Sequence, residues 1–382
     1  MKNKLSILFT SFFVIILLGA GCASVKQEGN TDEKVIKSTE PIKIGFIAPL
    51  TGDAATVGES MKYAIEIARD EINNTGGIDG RQVEVIFEDG GCEAKKAVLA
   101  GTKLISVDKV PVIIGGACSS ETLAVAPLAE QAGVVMISAA STNPDVTNAG
   151  DFIFRFIPDD TYQGKFAAEH LYSTKGYKKI AVLYVNNDWG IGIKQVFILK
   201  AKELGAEIVT EGAYAQDARD LRTELTKVKN SGADVLYFVG SSEASIPALK
   251  QIKELELNIP IFGADMWDDP KIPQEAGLAS EGAEYTVAAN LNLPEEFIQE
   301  MNTRTGDTQI GTYPPRAYDI MTALKKVITK VGDNSTNIKQ ELYKLKNYKG
   351  IADVYTMDEN GDMTGSNFVI KIYKNGELAV VK

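Results

Sequence analysis

Short apolar runs alternate with longer amphipathic ones along most of this chain. Residues 42–48 (IKIGFIA) read as a strand, and from 58 to 74 Met61, Ala64, Ile65, Ala68 and Ile72 recur at helical spacing before Gly76-Gly77 ends the segment. Residues 82–88 alternate as a strand, 94–107 read as helix, 110–115 as an apolar strand, 119–132 as helix with Pro127 as a kink or late start, and 134–138 as strand. The rhythm then repeats. Strands are predicted at 179–185, 207–214, 234–239 and 259–263, with helices at 191–204, 221–230 and 243–255 between them. Strand and helix in alternation with short connections imply parallel sheets covered by helices on both faces. Two such blocks imply an α/β chain of two similar lobes, although no short sequence repeat links them.

The last third is less regular. A helix is expected over 313–331, with Ile320, Met321, Leu324, Val327, Ile328 and Val331 on one face. The acidic run Asp358-Glu359-Asn360-Gly361-Asp362 resembles a calcium loop, but Met363 and Val369 occupy the positions that need glycine and a bidentate glutamate. Asn360-Gly361 and Asn375-Gly376 instead read as hairpin turns, with no metal site.

The start of the chain follows a different pattern. A short basic stretch (Lys2, Lys4) precedes the apolar run 5–18, and small residues lead to Cys22. That order is a secretion signal, and the run is shorter than the roughly 20 residues a membrane span needs. Gly19-Ala20-Gly21-Cys22 resembles a bacterial lipobox, although Leu18 stands one place further out than the usual leucine. Cys22 is therefore the expected lipidation site, after a signal peptide at 1–21, with an ordinary secreted protein as the alternative. Residues 22–41 then form a flexible tether, because they hold few large apolar residues. The roughly 340 residues that follow suit two lobes better than one core.

Charge and composition mainly exclude. The formal charge of −11 becomes −13 without the two leader lysines, and an acidic surface argues against nucleic-acid binding. The chain has one histidine, His170, which reads as packing or surface, so Ser-His-Asp and metalloenzyme readings lack parts. No GxSxG elbow, Walker loop or GxGxxG stands between a strand and a helix. A hydrolase using only carboxylates stays open.

A series of markers then appears in order over about 320 residues. They are Ile44-Gly45 to Pro49-Leu50-Thr51-Gly52, Gly76-Gly77-Ile78-Asp79-Gly80-Arg81, Glu88-Asp89 followed by Cys92, 114–120 (IGGACSS), Ser141-Thr142-Asn143-Pro144, and 358–362. The chain thereby resembles the leucine/isoleucine/valine-binding proteins, the solute-binding components of ABC importers with the type I periplasmic-binding-protein fold. The resemblance implies two α/β lobes joined by three chain crossings near 158–160, 286–290 and 347–351. The first lobe would hold 42–158 and 289–348, the second 159–288 and 349–382. A ligand would bind in the cleft and the lobes would close over it.

The residues agree with that implication. Ligands of parallel α/β sheets sit beyond the carboxyl ends of the strands, where 116–120 and 139–142 fall. Ser119 offers a hydroxyl at a helix start whose free N–H groups favour a carboxylate. By resemblance, Ser119 and Thr142 hold a ligand carboxylate, the Ala140 carbonyl meets an ammonium, and Asp265 takes the place of a glutamate that binds the same ammonium. Trp189, Ser241 and Val57 stand where the relative has tyrosines, so the side-chain pocket departs most. Trp267 is a further candidate for the cleft. Cys92 and Cys118 match the family's disulfide, which on the chain-entropy model adds roughly 3–4 kcal/mol.

The function so implied is an extracytoplasmic, lipid-anchored, monomeric carrier. It would deliver an amino acid, branched-chain or otherwise apolar, to ABC permease subunits, with no cofactor and no turnover. Two alternatives accompany it: a sensor presenting an amide, urea or aromatic acid to a receptor, and an extracytoplasmic enzyme built on carboxylates.

Overall fold

The computed structural model describes residues 39–381 apart from 308 and 366. The signal peptide, Cys22 and nearly all of the tether lie outside those residues. Five strands form an all-parallel sheet: β1 (Ile42–Ala48), β2 (Val83–Asp89), β3 (Val112–Gly115), β4 (Val135–Ser138) and β5 (Ile153–Arg155), in the order β2-β1-β3-β4-β5. Period-two alternation divides their side chains between the two faces. Val112, Ile114, Val135 and Ile137 pack under helices Ala55–Asn74 and Tyr313–Val331. Ile113 and Met136 pack under Ala94–Lys103 and Ser119–Ala132. Both faces are covered, which is why these strands read as unbroken apolar runs. Glycine at 45 is a packing requirement, since a Cβ there would lie 2.8 Å from Leu104 Cδ1.

The second sheet runs β14-β13-β10-β9-β8-β6-β7. Its strands are β6 (Lys179–Val185), β7 (Glu207–Tyr214), β8 (Val235–Val239), β9 (Ile261–Gly263), β10 (Glu284–Ala288), β13 (Phe368–Lys374) and β14 (Glu377–Val380). Those from β6 to β10 are parallel, whereas β13 runs antiparallel to both its neighbours. Asn375 and Gly376 join β13 to β14, both at positive φ, as a two-residue type I′ hairpin requires. Two short strands, β11 (Tyr348–Lys349) and β12 (Val354–Tyr355), pair separately. Helix Ser119–Ala132 runs through Pro127 without ending.

Among the described residues, three segments join the lobes. Phe156 and Ile157 belong to the first core, while Ala167 and Ala168, on helix Asp160–Glu169, belong to the second. The chain returns between Ala288 of β10 and Phe297, which packs on Ala64 and Ile67 of the first lobe. The third passage differs from the expectation at 347–351. Tyr355, Met357 and Met363 are still in the first core, and the later Ile370 and Tyr373 belong to the second, so the passage falls after Met363. The acidic turn explains the delay. Met357 and Met363 bridge around it, and Asp362 accepts from the fully buried Arg155 guanidinium of β5 (Nε to Oδ1, 2.5 Å). That pairing ties residues 358–362 to the first lobe.

Candidate functional site

The site lies where the carboxyl ends of the two sheets face each other. A cleft space of about 410 Å³ is walled on the first lobe by Val57, Cys92, Cys118, Ser119, Ala140 and Tyr313. On the second lobe Asn187, Trp189, Asp265 and Met266 wall it. A neighbouring space of about 240 Å³, which shares Cys92, Asn187, Trp189 and Met266 with the cleft, reaches Ser241, Gln216 and Asp53. A larger hollow, about 780 Å³, lies beside Asp268 and Arg304 and shares only Val57 and Tyr313 with the cleft. It contains none of the sequence-predicted contacts apart from Val57. Around the cleft the lobes touch. Arg219 pairs with Asp53, Asn143 Nδ2 donates to the Asp188 carbonyl (2.6 Å), and Tyr313 Oη donates to Asp265 (2.6 Å).

The first wall is a hydrogen-bonded unit. The Gly116 carbonyl accepts from the hydroxyls of Ser138 (2.7 Å), Ser141 (2.8 Å) and Thr122 (3.1 Å). Ser138 Oγ in turn accepts from the amides of Ala140 and Ser141, which shapes the 139–142 loop. Cys92 and Cys118 are bridged, with Cα atoms 5.3 Å apart. Both their amides donate to Glu121, at 3.0 Å each. Burial pushes Glu121 up to about 7, against the pull of those backbone donors. Ser119 Oγ accepts from the Asn143 amide (3.2 Å), which leaves its O–H free to donate into the cleft. Thr142 is fully buried and does not line the cleft space itself. Its carbonyl accepts from the Asp160 amide (2.8 Å), and its hydroxyl has no hydrogen-bond partner.

Asp265 lines the cleft opposite this wall, and the buried Asp160 lies close enough to feel its charge. Asp265 accepts from Tyr313 Oη and from Gln163 Nε2 (3.3 Å). Burial pushes it up to about 6, and those donors oppose the shift. Asp160 is fully buried, and both of its carboxylate oxygens lack a hydrogen-bond partner. Burial first and the Asp265 charge second hold it well above the ordinary range; the nearby Thr142 hydroxyl offsets a little of that without a bond of good geometry. Two like charges in one buried space do not both ionise readily. With two donors on Asp265 and none on Asp160, the proton belongs on Asp160 and the charge on Asp265.

The structure brings Ser119, Ala140, Trp189 and Asp265 to one cleft, with Ser241 at its far end and Thr142 just behind the first wall. Trp267 is buried in the second core between Phe238 and Tyr373 and does not reach the cleft. His170 stacks on Phe262 and faces Glu284 (3.3 Å), a packing role. Sequence reasoning passed over Glu121, Asp160, Gln163, Asn187 and Tyr313. Glu121 carried a local signal: it stands three residues after the helix-capping position at Cys118, the spacing of a capping box.

Residues 41–377 match the family model described as periplasmic binding protein. A leucine-, isoleucine-, valine-, threonine- and alanine-binding protein of Pseudomonas aeruginosa is 28% identical, over 96% of this chain and 95% of its own. The crystal structure of a leucine-binding protein LivK from Thermotoga maritima superposes with a TM-score of 0.82 at 28% identity, covering 89% of this chain and 98% of that one. The branched-chain amino-acid transporter substrate-binding protein LivJ of Streptococcus pneumoniae, solved with isoleucine, gives 0.81 at 26% identity, covering 90% and 99%.

Proposed function

Because the chain belongs to the periplasmic binding protein family, we propose that it is the solute-binding component of an ABC importer and carries an α-amino acid in the inter-lobe cleft. The observation that carries this reading is the charge pattern of the cleft. Ser119 and the start of its helix present donors to an anion, while the ionised Asp265 waits for a cation across the same space. A zwitterion satisfies both ends at once, and an unpaired buried carboxylate otherwise costs heavily. In this reading the Ser119 hydroxyl and helix amides, with Thr142, hold the ligand carboxylate. Asp265 and the Ala140 carbonyl hold its ammonium. The relatives that bind leucine, isoleucine, valine, threonine or alanine support a small aliphatic frame.

The same reading makes Cys22 a lipidated anchor, leaves the bound ligand unconverted, and gives the closed lobes to permease subunits as the docking form. A thermal-shift panel of amino acids, amides and aromatic acids tests the ligand class, since a ligand raises the melting temperature by mass action. α-Amino acids are expected to raise it. No response to them, with a response to an amide or benzoate-like acid, would overturn the zwitterion. Cys22→Ala is expected to release the protein from membranes into the soluble fraction.

A further inference from the structure

The side-chain end of the cleft carries a second message, which rests on the α-amino-acid reading above. Trp189 lines this space, and its Nε1 is buried and donates to nothing. An indole N–H only donates, and one left unpaired in a closed site lacks a partner worth having. Ser241 stands at the start of helix Ser242–Glu254, and its hydroxyl makes no capping bond. Gln216 accepts from Asn187 Nδ2 through its carbonyl oxygen (2.9 Å), which leaves its own NH2 group as a donor. Three side chains around one end of the cleft therefore offer donors. Asp53 lines the same end and is paired with Arg219.

We propose that this end binds a ligand side chain ending in a neutral oxygen acceptor, a hydroxyl or a carboxamide, with Trp189 Nε1 as the selecting donor. A purely aliphatic side chain would leave the indole N–H unsatisfied. A carboxylate would bring a further negative charge towards Asp53. The preferred ligands are then amino acids of threonine or asparagine type, rather than their isosteres valine and leucine.

Isothermal titration of the full chain with the two isosteric pairs is the test. Threonine is expected to bind about tenfold more tightly than valine, and asparagine more tightly than leucine by a similar factor. Trp189→Phe keeps an aromatic wall and removes the N–H, so both ratios are expected to fall towards one while valine still binds. Valine and leucine binding as tightly as threonine and asparagine, or unchanged ratios in Trp189→Phe, would overturn the proposal and leave the amino-acid reading intact. Binding of none of the four, with an amide or aromatic acid bound instead, would overturn both.

Discussion

The two walls of the cleft are built on opposite plans. On the first lobe most polar groups are used, the buried Thr142 hydroxyl excepted. Three hydroxyls converge on Gly116, Ser138 arranges the next loop, and Glu121 ties the two half-cystines to the helix start. On the second lobe and at the crossings, Trp189 Nε1 and both Asp160 oxygens are buried without partners, and Asp265, although it accepts from Tyr313 and Gln163, is held above the ordinary carboxylate range. A saturated network is rigid and stable by itself, whereas unsatisfied buried groups cost stability until a ligand meets them. The first wall is thus a platform. On the proposed reading the second adds the charge that meets the ligand ammonium, and substitutions that break the platform should separate from those that remove this charge.

Asp265→Asn is the largest expected break. It keeps the shape and removes the charge, so amino-acid binding measured by titration should weaken by about two orders of magnitude or more. The ligand-free melting temperature should hold or rise, because a costly buried carboxylate is gone. An unchanged dissociation constant would take Asp265 out of the site. Cys92→Ser reverses the pattern. Unfolding free energy should drop by roughly 3 kcal/mol in denaturant titrations, since the bridge spans 26 residues of separation. A loss of affinity with no loss of stability would contradict the platform role.

The smallest effect is a pH dependence of opposite sign in the two quantities. Asp265 is raised to about 6 and Glu121 to about 7 by burial, as is Asp319, to about 6, inside helix Tyr313–Val331, where it accepts from Tyr355 Oη. The folded protein therefore holds protons, between about pH 4 and 7, that the unfolded chain has already released. Ligand-free stability should rise as the pH falls from about 8 to 5.5. Affinity should fall through about pH 6 as Asp265 takes its proton, by up to about tenfold per unit. Parallel trends in melting temperature and affinity would break the assignment of the charge to Asp265.

Much of the fold was legible from periodicity. The strands 42–48, 179–185 and 207–214 and the helix 313–331 stand where the apolar pattern puts them, because a face that must be buried repeats at the period of its element. β5 and β10 have no legible period. Three residues of β5 are too few to show a period, and β10 is flanked by irregular chain. At the site, the loops after β3 and β4 were readable, because position at a sheet edge follows from strand order. Asp160, Gln163 and Asn187 were not, since a polar residue near a helix start looks like a cap whether it faces water or a cleft.

The sequence by itself determined the two α/β blocks, the pairing candidates Cys92 and Cys118, and the residues at the strand ends. The blocks and the strand ends follow from local spacing and the burial it demands, and the cysteine pair from the resemblance. Only the tertiary structure decided which groups meet at the cleft and behind it. Asp160 meets Asp265 from 105 positions away. Trp189 enters the cleft while Trp267 turns into the core, and the acidic turn stays on the first lobe because Arg155 holds it. Each of those outcomes depends on charge and packing between segments distant in sequence, where no local period carries the information.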